Sequence, residues 1–209
     1  MLLLTGQRRC EVAGMLWADI SVEARTWTLA SDKTKAWRGH VVPLSQPAMD
    51  ILAAVPRKST TVDGVLKPSF YVFTSDGSAP ISGFSRAKNA IDLRAAKARA
   101  EAGADPAQGW TLHDLRRKAA AEMGRLGTPE FVIAKVLNHA SKGITGQVYN
   151  RYEYLAEKKH ALEQWGAYLG QLTAQGAANV VEMPSRIRSE TVAVIYNRFP
   201  DRPPHQLSL

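Results

Sequence analysis

The chain has 209 residues, 45% of them hydrophobic, with a formal net charge of +8 and a sequence pI of about 9.7. That length suits one ordinary domain plus a tail, and the apolar content is enough for a real core, which excludes a disordered chain. A single cysteine, Cys10, excludes an internal disulfide and any cysteine-built metal site, while the basic balance favours a polyanionic partner, either nucleic acid or an anionic membrane surface.

Met1-Leu2-Leu3-Leu4 is too short for a signal-peptide core or a membrane span, so a soluble cytoplasmic protein is expected. The chain starts inside an apolar run with no polar lead-in, which points to material upstream. A helix is expected from near Gln7, with Val12, Met15 and Leu16 at helical spacing and Trp17 beside them. Thr26–Leu29 alternates polar and apolar residues as a half-buried strand requires. The polar loop 31–39 holds Lys33, Lys35 and Arg38, and Val41–Leu44 follows, so the pair reads as an antiparallel hairpin with a basic tip. Ser45 can cap a helix to about Val55. A loop over Pro56–Ser69, a third strand at Phe70–Phe73 and a turn at Asp76-Gly77 come next.

Residues 84–102 read as one alanine-rich helix whose Arg86, Lys88, Arg94, Lys97 and Arg99 form a solvated face, with phosphate contacts the lesser reading for each. After a break over 103–109, Thr111 with Asp114 resembles a capping box opening a helix to about Leu126, with Gly127 as its stop. Thr128-Pro129-Glu130 restarts a helix, with a capping hydroxyl, proline at the first helical position and an acid in the first turn. Phe131, Val132, Val136 and Leu137 are expected to face the core. A break at 141–146 precedes a tyrosine-rich stretch and a helix over Leu155–Leu169. Beyond Gly170 the pattern weakens, Pro200, Pro203 and Pro204 preclude regular structure, and Val192–Tyr196 can add a strand. The expected fold is α+β and mainly α, with a small three-stranded antiparallel sheet on one edge.

Several residues can carry chemistry. His113 and Arg116 stand three apart at a helix start and share a face. Arg117, four from His113, can share it too, and spacing does not choose between the arginines. Arg8 and Glu11 are also three apart, so the carboxylate can hold the guanidinium by a charge-assisted hydrogen bond. Taken singly, each has a bland reading: a capping or packing histidine, a surface ion pair, a solvated hairpin lysine, a tyrosine anchored in a core.

The order Thr5-Gly6-Gln7-Arg8, hairpin Lys35, His113-Asp114-Leu115-Arg116, Leu137-Asn138-His139 and then Tyr149 resembles the tyrosine recombinases, also called phage-type integrases. The resemblance runs from about Leu2 to Leu169. Val148-Tyr149-Asn150-Arg151-Tyr152-Glu153-Tyr154-Leu155, with Lys158-Lys159 and Trp165, looks like the prophage and island branch. It implies a catalytic set of Arg8, Lys35, His113, Arg116, His139 and Tyr149, with Tyr149 as nucleophile and Arg116 preferred to Arg117. It also implies a catalytic domain over 1–170 that lacks the family's N-terminal DNA clamp and first helix, and a tail over 171–209, mobile or docked on a neighbouring protomer. The partner would be double-stranded DNA, bound by a homo-tetramer on two sites, with no cofactor, membrane or small-molecule substrate. Two other readings stand beside it. One is a DNA-binding remnant without useful catalysis. The other is a metal-dependent phosphohydrolase using His113, Asp114 and His139.

Overall fold

A computed structural model of the chain describes residues 1–34, 38–139 and 153–174, all within the unit Met1–Ala174. Short helices α1 (Leu2–Thr5) and α2 (Arg9–Ala13) lead into strands β1 (Ile20–Ser21), β2 (Thr26–Leu29) and β3 (His40–Pro43). Helix α3 (Gln46–Ala54) and a hairpin, β4 (Ser59–Val62) with β5 (Val65–Pro68), come next. The described helices then continue with α4 (Phe84–Glu101), α5 (Leu112–Arg125), α6 (Glu130–Val136) and α7 (Leu155–Ala174). The domain is mainly α with small antiparallel sheets, as expected.

Strand β2 has its expected bounds, and its alternation sends Trp27 and Leu29 into the core while Thr28 faces water. It pairs antiparallel with β3 in the register Trp27↔Val42 and Leu29↔His40. The third strand of this sheet is β1, in the order β1-β2-β3, and Phe70–Phe73 is not a strand. Residues 70–72 pair instead with residues 15–17, where Trp17 N–H donates to the Phe70 carbonyl and Val72 N–H to that of Met15. The short helical turn at Trp17–Asp19 ends that pairing after one bridge, Leu16↔Tyr71.

Pro56–Ser69 holds a hairpin, not the expected loop. Asp63 and Gly64 have φ of 54° and 78°, the two left-handed residues that a tight type I′ turn needs. Both strands are almost wholly exposed, so they lack the apolar alternation that marks a half-buried strand.

Helix starts differ from expectation for local reasons. Gly6, at φ 63°, ends α1 by donating its N–H to the Leu2 carbonyl, and Arg8 is extended, so α2 begins only at Arg9. Ser45 occupies the expected cap of α3, yet its hydroxyl makes no capping bond. Thr128 closes α5 and does not open α6: its N–H reaches back to the Met123 carbonyl at 2.9 Å, with Gly127 left-handed before it. Pro129 therefore caps α6. Val132, Val136 and Leu137 are buried as expected, but Phe131 is 54% exposed and packs edge-on against Tyr154.

Helix α7 continues past Leu169 to Ala174 and buries Ala161, Leu162, Trp165 and Gly166 on one stripe. Trp165 adds a donor, Nε1 to the Leu3 carbonyl at 2.8 Å, which ties this helix to the first one. The core around it includes Trp27, Met15, Leu44, Met123 and Leu162, each worth roughly 1.5–3 kcal/mol on burial for a Leu- or Met-sized side chain. Helix α4 buries no residue, in keeping with its solvated face. Among the described residues no helix is long and apolar enough to cross a membrane.

Candidate active site

The site forms where the α1–α2 junction meets the start of α5 and the end of α6. Gly6 is required at the junction twice over. Its φ is left-handed, and a Cβ there would stand 3.1 Å from Leu137 Cδ2. The two residues that follow bond in separate places. Gln7, 2% exposed, donates from Nε2 to the carbonyls of Thr5 and Val136 at 2.9 and 2.8 Å. Arg8 is bound twice by Glu11, whose carboxylate accepts the Arg8 main-chain N–H at 2.8 Å and Nη1 at 2.9 Å. The Glu11 side chain is 4% exposed and that of Arg8 26%, so this is a fixed pair and not a loose surface one.

Helix α5 opens with the expected Thr111–Asp114 pair. The Asp114 carboxylate accepts the Thr111 hydroxyl and N–H at 2.7 and 2.8 Å, and Arg117 Nη1 at 2.9 Å. These bonds hold its pKa down to about 2, the Thr111 hydroxyl being the largest cause. Arg117 thus turns to solvent with Asp114. Arg116 turns inward, 5% exposed, and donates from Nη1 to the Gly6 carbonyl at 2.6 Å and from Nη2 to the Leu137 carbonyl. Burial, then the nearby charge of Arg8, lowers its pKa to about 10, with Glu11 opposing, so it stays charged at neutral pH.

Arg8, His113 and Arg116 line one open cleft of about 620 Å³, together with Arg9, Lys88 and Glu11. Four guanidinium or ammonium groups against one carboxylate make it an anion site. For Lys88 a wet helix face is the main expectation and phosphate contact the lesser one, and the structure sets it in the cleft wall. It is bonded to Asp92 at 2.5 Å and lies over the Trp110 ring, whose Nε1 also donates to Asp92 at 2.8 Å. Periodicity does not reveal that trio, because Trp110 lies outside the helix.

His139 follows α6, is exposed, and is not among the residues that line the cleft. Its pKa is nevertheless lowered, first by partial burial and then by the charges of Arg116 and Arg8. The end of α6 is held by several donors: the Val136 carbonyl also accepts from His40 Nε2 at 3.0 Å, and Arg38 reaches Asn138. Lys35 and Tyr149 lie outside the described residues. Among the described residues no three His, Cys, Asp or Glu side chains gather to hold a metal ion, and the carboxylate of Asp114 is taken up by Thr111 and Arg117.

The chain matches the model of the phage integrase family over residues 1–155. It belongs to that family. It is 29% identical over 186 residues to the prophage integrase IntA of Escherichia coli (strain K12), covering 89% of this chain and 41% of that protein. It is 26% identical over 174 residues to the integrase of Shigella phage Sf6, covering 82% of this chain and 40% of that protein. The chain thus spans about two fifths of the length of these curated relatives. Among solved structures, the integrase from mycobacterium phage Brujita aligns with a TM-score of 0.49 at 14% identity, over 88% of this chain and 52% of that one.

Proposed function

We propose that this chain is the catalytic domain of a site-specific DNA recombinase, cutting and rejoining duplex DNA through a 3′-phosphotyrosine on Tyr149. The observation that carries the reading is the cleft shared by Arg8 and Arg116. One guanidinium is held by a buried carboxylate and the other by two main-chain carbonyls, so neither needs to be ordered when a phosphate arrives. Negative charge grows on the non-bridging oxygens of a phosphodiester under attack, and forked donors fixed in advance stabilise it. The names of the curated relatives, all integrases, support the same reading.

The Tyr149 oxygen attacks phosphorus and the bond to the 5′ oxygen breaks. A histidine takes the phenolic proton, and His139, whose pKa is lowered first by partial burial and then by the charges of Arg116 and Arg8, is suited to that task. His113 stands in the cleft with the arginines, and Lys35 gives the departing 5′ oxygen its proton. A second DNA 5′-hydroxyl then attacks the phosphotyrosine and restores the phenol. The bond energy is kept throughout, so neither ATP nor a cofactor is consumed. The partner is double-stranded DNA in the cytoplasm, and four copies act on two sites.

Covalent capture on nicked duplexes with randomised flanks, in EDTA, tests this. The wild-type chain should yield an SDS-stable adduct at Tyr149, and Tyr149→Phe should yield none. DNA binding without an adduct in either protein would instead support the inactive remnant. Cleavage abolished by EDTA would support the metal-dependent phosphohydrolase.

A further inference from the structure

Among the described residues of the cleft wall, two cations remain once Arg8 and Arg116 are given to the reacting phosphate. They are Arg9 and Lys88. Each lies over an aromatic ring that also lines the cleft. The Arg9 guanidinium carbon stands 5.4 Å from the centre of the Phe84 ring, and Lys88 Nζ stands 4.9 Å from that of Trp110. Phe84 and Lys88 are one turn apart on α4 and share a face, so the two cations stand side by side.

Lys88 is held in a way that a surface lysine is not. Asp92 Oδ2 accepts its Nζ at 2.5 Å, and Trp110 Nε1 donates to Oδ1 of the same carboxylate at 2.8 Å. Lys88 and Trp110 line the cleft, whereas Asp92 is not among the lining residues. The carboxylate therefore engages the ammonium from outside the cleft, with both of its oxygens occupied. An ammonium has three donors, so two remain for a ligand. Lys97 and Glu101 repeat the same spacing on the same helix, but at 3.9 Å, with the lysine side chain 81% exposed against 25% for Lys88. The helix alone does not fix a lysine here; the indole and its carboxylate do.

The cleft of about 620 Å³ lies in the range, roughly 300–1,000 Å³, that holds whole small molecules, so it exceeds what one phosphate group fills. Along one strand of duplex DNA the phosphates recur every ~3.4 Å of helix axis. A strand with one phosphate on Arg8 and Arg116 carries the next one into the same cleft. We propose that Arg9 and Lys88 form a second phosphate subsite, which takes the phosphate next to the reacting one on the same DNA strand. Asp92 and Trp110 are positioning residues for Lys88. The proposal rests on the reading of this cleft as a site for DNA phosphate.

Two small probes isolate the subsite from catalysis. Thymidine 3′,5′-bisphosphate carries two phosphates one nucleoside apart, and thymidine 5′-monophosphate carries one. In phosphorus NMR titrations the wild-type chain should bind the bisphosphate on the order of 10-fold tighter, as for one added charge-assisted contact. Lys88→Met should erase that preference and leave the monophosphate affinity unchanged. Lys88→Arg should retain it, and so should Lys97→Met, which makes the same change of charge on the same helix. Methionine keeps the aliphatic stem on a helix that buries no residue, so Lys88→Met carries no folding defect. On a random-sequence duplex, the slope of log affinity against log salt should become shallower by about 0.9 in Lys88→Met, the loss of one phosphate contact. Equal affinity of the wild type for the two probes, a preference that survives Lys88→Met, or the same loss from Lys97→Met would overturn the subsite. A duplex that binds with an unchanged slope in Lys88→Met would overturn it too. If the probes behave as expected and the duplex does not bind, the DNA reading fails and the paired anion subsites stand.

Discussion

Arg116 Nη1 donates to the carbonyl oxygen of Gly6 at 2.6 Å across 110 residues of chain. With its second bond, from Nη2 to Leu137, the same guanidinium joins the α1–α2 junction, helix α5 and the end of α6. A guanidinium carries five N–H groups, so donors remain for a substrate after both carbonyls are satisfied. Arg116 therefore holds the site together and remains able to bind phosphate. Arg117, with a side chain 72% exposed, has neither role.

Arg116→Lys should test both roles at once. An ammonium lacks the fork needed to hold two carbonyls, and one buried acceptor left without a donor costs about 1–3 kcal/mol. Urea unfolding should read that loss. Adduct formation should fall by about 10²–10³-fold, as for removal of a preorganised donor. Arg117→Lys should stay within about 0.5 kcal/mol of the parent in stability.

Glu11→Ala should separate binding from chemistry. Glu11 caps the start of α2 through the Arg8 N–H and fixes the Arg8 guanidinium. Losing the cap costs about 1 kcal/mol. A guanidinium free to wander should slow adduct formation by up to about 10²-fold, while duplex affinity measured by fluorescence anisotropy stays close to the parent.

His40 should make stability depend on pH. Burial first, and then the charge of Lys158, lower its pKa from 6.5 to about 4, against the opposing bond to the Val136 carbonyl. Between those values the unfolded chain binds a proton that the folded chain refuses. The contribution is whole above 6.5 and is lost as pH falls towards 4, on the order of 3 kcal/mol in all. His40→Gln keeps a donor for Val136 and cannot titrate. Its urea-derived stability should fall less steeply than that of the parent over the same window.

Gly166→Ala should destabilise the packing of α7 on α3. A Cβ at this position would stand 2.6 Å from Ser45 Oγ and 2.8 Å from Ser45 Cβ. The helices must separate to admit it, which costs about 1–3 kcal/mol despite the better helix propensity of alanine. Thermal unfolding should show the drop. Pairing it with Ser45→Gly should recover part of the loss.

Much of the fold could be read from the chain. The Trp27/Leu29 alternation located β2, and the Thr111–Asp114 pair located the start of α5, because in each the signal lies within a few residues. The β4–β5 hairpin escaped a reading based on alternation, although Asp63-Gly64 marks its turn, since its strands bury almost nothing. Thr128 closes α5 although its sequence context suits a cap of α6, because a threonine between two helices can serve either and its N–H bonds the Met123 carbonyl. Phe131 is apolar, which alone predicts burial, yet α6 turns it outwards towards Tyr154.

The site divides in the same way. Residue types in order along the chain determined which side chains are candidates for the family's chemistry and that the partner should be an anion, since charge and chemical class belong to each residue alone. The resemblance already prefers Arg116 to Arg117, and the spacing of Arg8 and Glu11 already suggests their pair, but the bonds of Arg116 to the Gly6 and Leu137 carbonyls and the meeting of Asn138 with Arg38 were decided only by tertiary structure. Each depends on a hydrogen-bond acceptor contributed by another part of the fold or on which side of a helix is buried, and local sequence specifies neither.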